Sequence, residues 1–124
     1  MVEDNRSIHP YALPQYRRAT IPREKLERYV LDPTNEEGKH KARVFKSALG
    51  FEQSDWESLK ESILEELPYH EALADEVSQW GKSYIVVLPI RGLNGKTANV
   101  RTVWLFKHGT DFPTLITCYV LPKR

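Results

Sequence analysis

The sequence predicts an α+β fold: an extended N-terminal arm over residues 1–21, then a single domain over 22–124 in which two to three short helices pack on a three- to four-stranded antiparallel sheet. Three observations predict it. Apolar residues recur at helical spacing between residues 23 and 67. From Ser83 onward the period falls from about 3.6 to about 2, and β-branched and aromatic residues dominate. A chain of 124 residues with 3 Trp, 6 Tyr, 4 Phe and a single cysteine can build one packed core, is too short for two, and has no internal disulfide or cysteine-rich zinc site to stand in for packing.

The elements follow in order. His9-Pro10, Leu13-Pro14 and Ile21-Pro22 interrupt a stretch without any period, so it runs extended, with Tyr11, Leu13 and Tyr16 expected to dock on the body. Pro22 suits the first turn of a helix, which continues over 23–31 with Leu26, Tyr29 and Val30 on one side until Asp32-Pro33 stops it. Residues 39–49 place Ala42, Phe45 and Leu49 on one stripe, and Gly50 fits a left-handed C-cap. Ser54-Asp55-Trp56-Glu57 reads as a capping box that opens a helix carrying Leu59, Ile63, Leu64 and Leu67, ended by Pro68. Residues 69–80 suit either a further helical turn or a loose connection.

Strands are expected over 84–90, 100–107 and 115–121, the first two joined by the turn signal Asn94-Gly95, which makes an antiparallel meander. On the middle strand Val103 and Leu105 point one way and Trp104 and Phe106 the other, so both sheet faces carry apolar groups. The expected core is Leu26, Phe45, Leu49, Leu59, Ile63, Val86, Val103 and Leu105. Trp104 and Phe106 then fall on a second face, to be covered by the arm or a second subunit or left as a shallow cleft. On the last strand Thr117 and Tyr119 alternate with Ile116 and Cys118, which puts them on one face with Leu115.

A net charge of +1 conceals a segregation: residues 1–50 sum to +3, 51–80 to −8 and 81–124 to +6. The basic C-terminal third can meet a polyanion or pair with the acidic middle. No apolar run approaches the roughly 20 residues needed to span a bilayer, and the N-terminus lacks the apolar stretch of a secretory signal, so the sequence reads as a cytoplasmic protein. His9, His40, His70 and His108 show no metal-ligand spacing, and no P-loop, G-x-G-x-x-G or G-x-S-x-G motif occurs; neither metal nor cofactor is expected.

Two clusters carry candidate chemistry. Gly38-Lys39-His40-Lys41-Ala42-Arg43 gathers cations at a helix start, where the dipole already makes positive charge unfavourable and a bound phosphate would relieve it. Alternatively Glu36 and Glu37 pair with these lysines. Around Arg101-Thr102, the guanidinium can hold a phosphate bidentately and the hydroxyl can donate beside it. Thr117 lies one strand away. Cys118, flanked by apolar residues and no base, reads as buried filler.

The succession Lys25-Leu26-Glu27-Arg28-Tyr29-Val30-Leu31, Gly38-Lys39-His40-Lys41-Ala42-Arg43-Val44-Phe45 with Leu49-Gly50-Phe51, Val100-Arg101-Thr102-Val103-Trp104, and Pro113-Thr114-Leu115-Ile116-Thr117 resembles an uncharacterised bacterial domain family. That family reads K-L-x-x-Y-L-L, G-x-x-K-A-x-x-F with L-G-[FY], V-x-[ST]-V-W and P-x-L-[IV]-T. Its members are similar in context to small ribonuclease-like toxin domains, in which helices precede an antiparallel sheet whose concave face holds the catalytic groups. The resemblance implies a site built from Lys41, Arg101, Thr102 and Thr117. His40 stands at a position where the family pattern does not require histidine.

Two functions remain open on these residues. One is a metal-independent ribonuclease-like or RNA-binding domain with a basic cleft, in which Lys41, His40, Arg101 and Thr117 would be catalytic and Lys39, Lys41, Arg43, Arg101 and Thr102 would bind phosphate. The other is a non-enzymatic interaction module or homodimer that uses the second sheet face. Whether the chain is an enzyme is undecided at this level.

Overall fold

The computed structural model describes residues 6–123 and is an α+β fold with three helices and a four-stranded antiparallel sheet in the order β1-β2-β3-β4. The strands are β1 (Ala72–Ser78), β2 (Gly81–Arg91), β3 (Thr97–Lys107) and β4 (Thr114–Val120). Helix α1 (Arg23–Lys25) widens at once into a π turn (Leu26–Val30), and is followed by α2 (Lys39–Leu49) and α3 (Trp56–Glu66). Among the described residues no helix is long and apolar enough to cross a membrane.

Local chemistry explains the boundaries. Before α2, the Asn35 side chain accepts from the amides of Glu37 and Gly38, both at 2.9 Å, and donates to Arg28 O at 2.8 Å, which turns the chain and pins it to the preceding helix. Gly50 ends α2 at φ 75°, a conformation that favours glycine. In the widened turn the Leu31 amide bonds to Leu26 O at 2.9 Å, five residues back, and Leu26, Val30 and Leu31 are all buried. The expected Ser54–Glu57 capping box is displaced: Glu52 and Asp55 make the reciprocal bonds around a 3₁₀ turn, Gln53–Asp55, and α3 starts at Trp56. Glu52 and Asp55 flank the serine three apart and bond each other's backbone amides, so the box closes two residues earlier than expected.

Residues 72–78, open between helix and loop on sequence grounds, form the fourth strand. Its edge position leaves it mostly exposed, and Asp75 and Glu76 lie at a bulge between Ala74 and Val77, which is why no alternation betrays it. Within the arm Leu13 is buried and Tyr16 packs on the core, whereas Tyr11 stays exposed, contrary to the expected docking. The arm ties down both sheet edges: Tyr11 O accepts from Ala72 N at 2.8 Å, and Thr20 bridges Thr114 in parallel. Its residues 1–5 lie outside the described residues.

All helices and the arm share one core with one face of the sheet. Leu26, Phe45, Leu49, Leu59, Ile63 and Val86 are buried there as expected. The middle strand is inverted relative to expectation: Val100, Thr102 and Trp104 face the helices, and Val103 and Leu105 lie on the opposite face. Both faces are apolar, so alternation shows which residues go together and not which set is covered. A second correction concerns β4. Leu115 pairs with Trp104 but Thr117 pairs with Val103, so a bulge at Ile116 sends Leu115 and Cys118 to the core and Thr117 to the other side.

Candidate functional site

The sheet face away from the helices is open among the described residues. By strand alternation it presents Leu73, Ile85, Val87, Arg101, Val103, Leu105, Thr117 and Tyr119, of which Leu73 is 54% exposed and Val87 37%. Arg101 pairs across the sheet with Val87 and Tyr119, and Val103 pairs with Thr117, so Arg101 and Thr117 are diagonal neighbours about 7–8 Å apart along the backbones. The Arg101 guanidinium carbon lies 6.0 Å from the Tyr119 ring centroid.

Arg101 Nε and Thr117 Oγ1 are the two buried side-chain polar atoms that lack a hydrogen-bond partner among the described residues. Each such group costs about 1–3 kcal/mol if left unsatisfied, and more when it is charged. Two on one open face, one a cation and one a hydroxyl, form an arrangement that an anion with several acceptor oxygens would complete.

At the β4 edge this face meets α2. His40, Lys41 and Val44 line a groove of about 350 Å³ with Tyr119 and Val120. Tyr119 therefore stands between Arg101 on the sheet and His40 and Lys41 on the helix. Lys41 Nζ donates to Tyr29 Oη at 2.9 Å and lies 4.9 Å from that ring's centroid, which holds the ammonium against the first helix. The approach depends on Gly38, because a Cβ there would come 2.0 Å from Tyr29 O. Arg43, which can only donate, lies 3.2 Å from His40 Nδ1; that nitrogen accepts, so the neutral ring carries its proton on Nε2 as a donor.

On the other side of α2 a larger groove of about 760 Å³ is lined by Lys39, His40, Arg43 and Lys46, with Leu31 and Phe51 among the apolar residues beneath. Lys39 pairs with Glu36 at 3.5 Å and Lys46 with Glu52 at 3.3 Å, both exposed contacts of small energetic weight.

The structure thus brings Arg101 together with Thr117, and His40 together with Lys41, with Tyr119 between the pairs. Lys39 and Arg43 belong to the second groove. Thr102 departs from its expected role: it is fully buried, its hydroxyl donates to Val86 O at 2.7 Å and accepts from Trp104 Nε1 at 2.8 Å, and it presents nothing to a ligand. Trp104 is likewise core and Phe106 packs against that core, so the second face lacks both of its expected aromatics. Tyr119 and Lys46 had no assigned part in the sequence reading. Lys46 follows Lys39 and Arg43 at helical spacing, a signal that was legible.

Cys118 is enclosed on the core side, and burial pushes its thiol up to about 12 against a weaker opposing pull from Lys41. An unfolded cysteine ionises near pH 8.5, so the native packing contributes fully below that value and the contribution fades as pH rises toward 12. Iodoacetamide at about pH 8.5 is expected to label the protein only as fast as it unfolds, and rapid labelling of the native state would contradict this burial. Among the described residues no three His, Cys, Asp or Glu side chains gather as a metal-ligating group.

The profile of a family described as a domain of unknown function, DUF6883, matches residues 12–122 of the chain. Comparison with curated proteins and with solved structures finds no match.

Proposed function

We propose a function for this chain, which belongs to the DUF6883 family of unknown function: it is an RNA-binding domain that holds a phosphodiester of single-stranded RNA at Arg101 and Thr117. The observation that carries this reading is the pair of unsatisfied polar atoms on the open sheet face. Both atoms are covered in the free protein, so a strand meets the half-buried Arg101 and the Tyr119 ring first, and a shift of the Arg101 side chain then lets Nε and Thr117 Oγ1 each reach a phosphate oxygen. The strand then passes over the β4 edge, where His40 and Lys41 stand in the adjoining groove. With Nδ1 accepting from Arg43, His40 carries its proton on Nε2 and can donate to a phosphate oxygen there, so cleavage in the presence of chelator is assayed alongside binding.

The test exploits the orphaned state of the two groups. Thr117→Val removes a buried hydroxyl that has no partner, so it should leave stability unchanged or raise it by up to about 1 kcal/mol, while weakening RNA binding. Arg101→Gln should weaken binding by about tenfold or more. In the wild type, affinity for labelled single-stranded RNA should fall with salt at a slope near −0.7 per neutralised phosphate, measured by titration at two ionic strengths. Unchanged affinity in both variants, or no binding at low salt, overturns the reading.

The exposed Leu73 and Val87 and the half-buried Ile85, Val103 and Leu105 around Arg101 favour a second use of the same face, as an interface between two copies. Sedimentation of the free protein separates the two readings: a dimer that dissociates in Val87→Asp and binds no RNA would replace the nucleic-acid account.

A further inference from the structure

We propose that the groove on the far side of α2 is a second subsite for the same RNA strand, holding its sugar-phosphate backbone beyond the segment bound at Arg101. This inference rests on the RNA-binding reading and extends it from a single phosphate to a length of strand.

Continuity comes first. His40 lines both grooves, so one side chain forms the ridge between them, and a strand leaving Tyr119 past His40 enters the larger groove directly. The groove's charge is arranged along a line. Lys39, Arg43 and Lys46 stand at i, i+4 and i+7 on α2 and make a cationic stripe about 10 Å long, the form suited to a ligand with repeating negative charge.

Those cations are weakly engaged. The partner of Lys39, Glu36, is 90% exposed, and Lys46 and Glu52 are both more than half exposed. Arg43 has no carboxylate partner among the described residues and contacts only the His40 ring. The first turn of α2 carries no acidic residue, and of the two carboxylates just before it Glu36 is the one paired with Lys39, through an exposed contact.

The groove is also more than a charged surface. Leu31 and Phe51 supply an apolar floor for sugar or base, and Gln53 stands in the wall with its amide nitrogen committed to Glu27 O at 2.7 Å. That bond leaves its carbonyl oxygen as an acceptor of a kind suited to a ribose hydroxyl or a base amino group. A volume of about 760 Å³ is at the scale of pockets that enclose small organic ligands. The cationic stripe with apolar residues beneath it gives phosphate and sugar each a surface, and Glu52 in the lining disfavours a uniformly acidic peptide.

The experiment compares single-stranded RNAs of about four and about ten nucleotides on the full chain. In wild type the longer RNA should bind at least about tenfold tighter, and its salt slope should be steeper by about 2, the contribution of three further phosphate contacts. The triple variant Lys39→Gln, Arg43→Gln, Lys46→Gln changes only exposed side chains, and an unchanged melting midpoint shows that it folds. It should keep the affinity for the short RNA and lose the gain with length. Arg101→Gln should weaken both lengths. A length gain that survives the triple variant overturns this subsite while leaving the site at Arg101 standing. Failure of both lengths to bind wild type overturns the RNA reading itself. Poly-glutamate that competes as well as RNA of equal charge overturns recognition of the sugar-phosphate backbone.

Discussion

Trp104→Ala is expected to lower the unfolding free energy by about 3–5 kcal/mol, the range for truncating a large aromatic in a well-packed core. Trp104 is fully buried on the central strand β3, and its strand neighbours across the sheet are Tyr84 and Leu115. Leu13 and Ile21 of the arm join the same core. The indole also anchors a short polar chain, Trp104 Nε1 to Thr102 Oγ1 to Val86 O, and the hydroxyl keeps its own acceptor when the indole is removed. Trp104→Phe, which retains most of the volume and loses one hydrogen bond, should cost much less, about 1 kcal/mol beyond the lost packing. Domains of this size have about 5–15 kcal/mol in total, so the alanine variant should melt about 10–20 °C lower. Urea unfolding measures the effect, and a loss below about 2 kcal/mol would show that the surrounding core collapses into the cavity.

Gly92→Ala should be comparably severe for a different reason. A Cβ at Gly92 would lie 2.1 Å from Leu49 O and 2.5 Å from Leu49 Cα, and backbone atoms cannot rotate aside as a side chain can. The hairpin between β2 and β3 closes the C-terminal end of α2, where Asn94 Nδ2 donates to Ala48 O at 3.2 Å and Asn94 N to Leu49 O at 3.4 Å. Those carbonyls have no partner within the helix, so lifting the loop uncaps α2 and parts the helix from the sheet. The expected loss exceeds the roughly 1–3 kcal/mol of ordinary overpacking. Gly95→Ala is the internal control. Nothing lies within 4 Å of its Cβ, and the only penalty is its φ of 83°, about 1–2 kcal/mol for a residue with a side chain. Equal losses in the two variants, measured by denaturant unfolding, would mean that the contact with Leu49 yields easily.

The extent of α2 was legible because its signals are local: an apolar stripe at Ala42, Phe45 and Leu49, and a glycine at the left-handed cap position. The three hydrophobic strands were legible from their period, with ends off by a few residues because pairing extends β2 to Gly81 and Arg91, beyond the apolar run. β1 was hidden because it is an exposed edge strand whose bulge at Asp75 and Glu76 breaks the alternation between Ala74 and Val77. For the candidate site, Arg101, Thr117, His40 and Lys41 were readable as residue types suited to phosphate. Thr102 belonged with them on the same grounds, and only the depth of its hydroxyl in the core separates it from Arg101, one residue away.

By itself, the sequence determined the class of fold, the order of its helices and the meander, because helical spacing, glycine caps and strand alternation act within a few residues of one another. It also determined that cations cluster at the start of α2. Tertiary structure alone decided which side of a doubly apolar sheet the helices cover, and hence that Val103 and Leu105 are outside and Trp104 inside. It also decided, through one extra residue at Ile116, that Thr117 shares the open face with Arg101 while Leu115 turns to the core. Both outcomes depend on packing and pairing between segments far apart in the chain. Alternation within a strand records which side chains share a face, and the energy that chooses between faces comes from the partner laid against it.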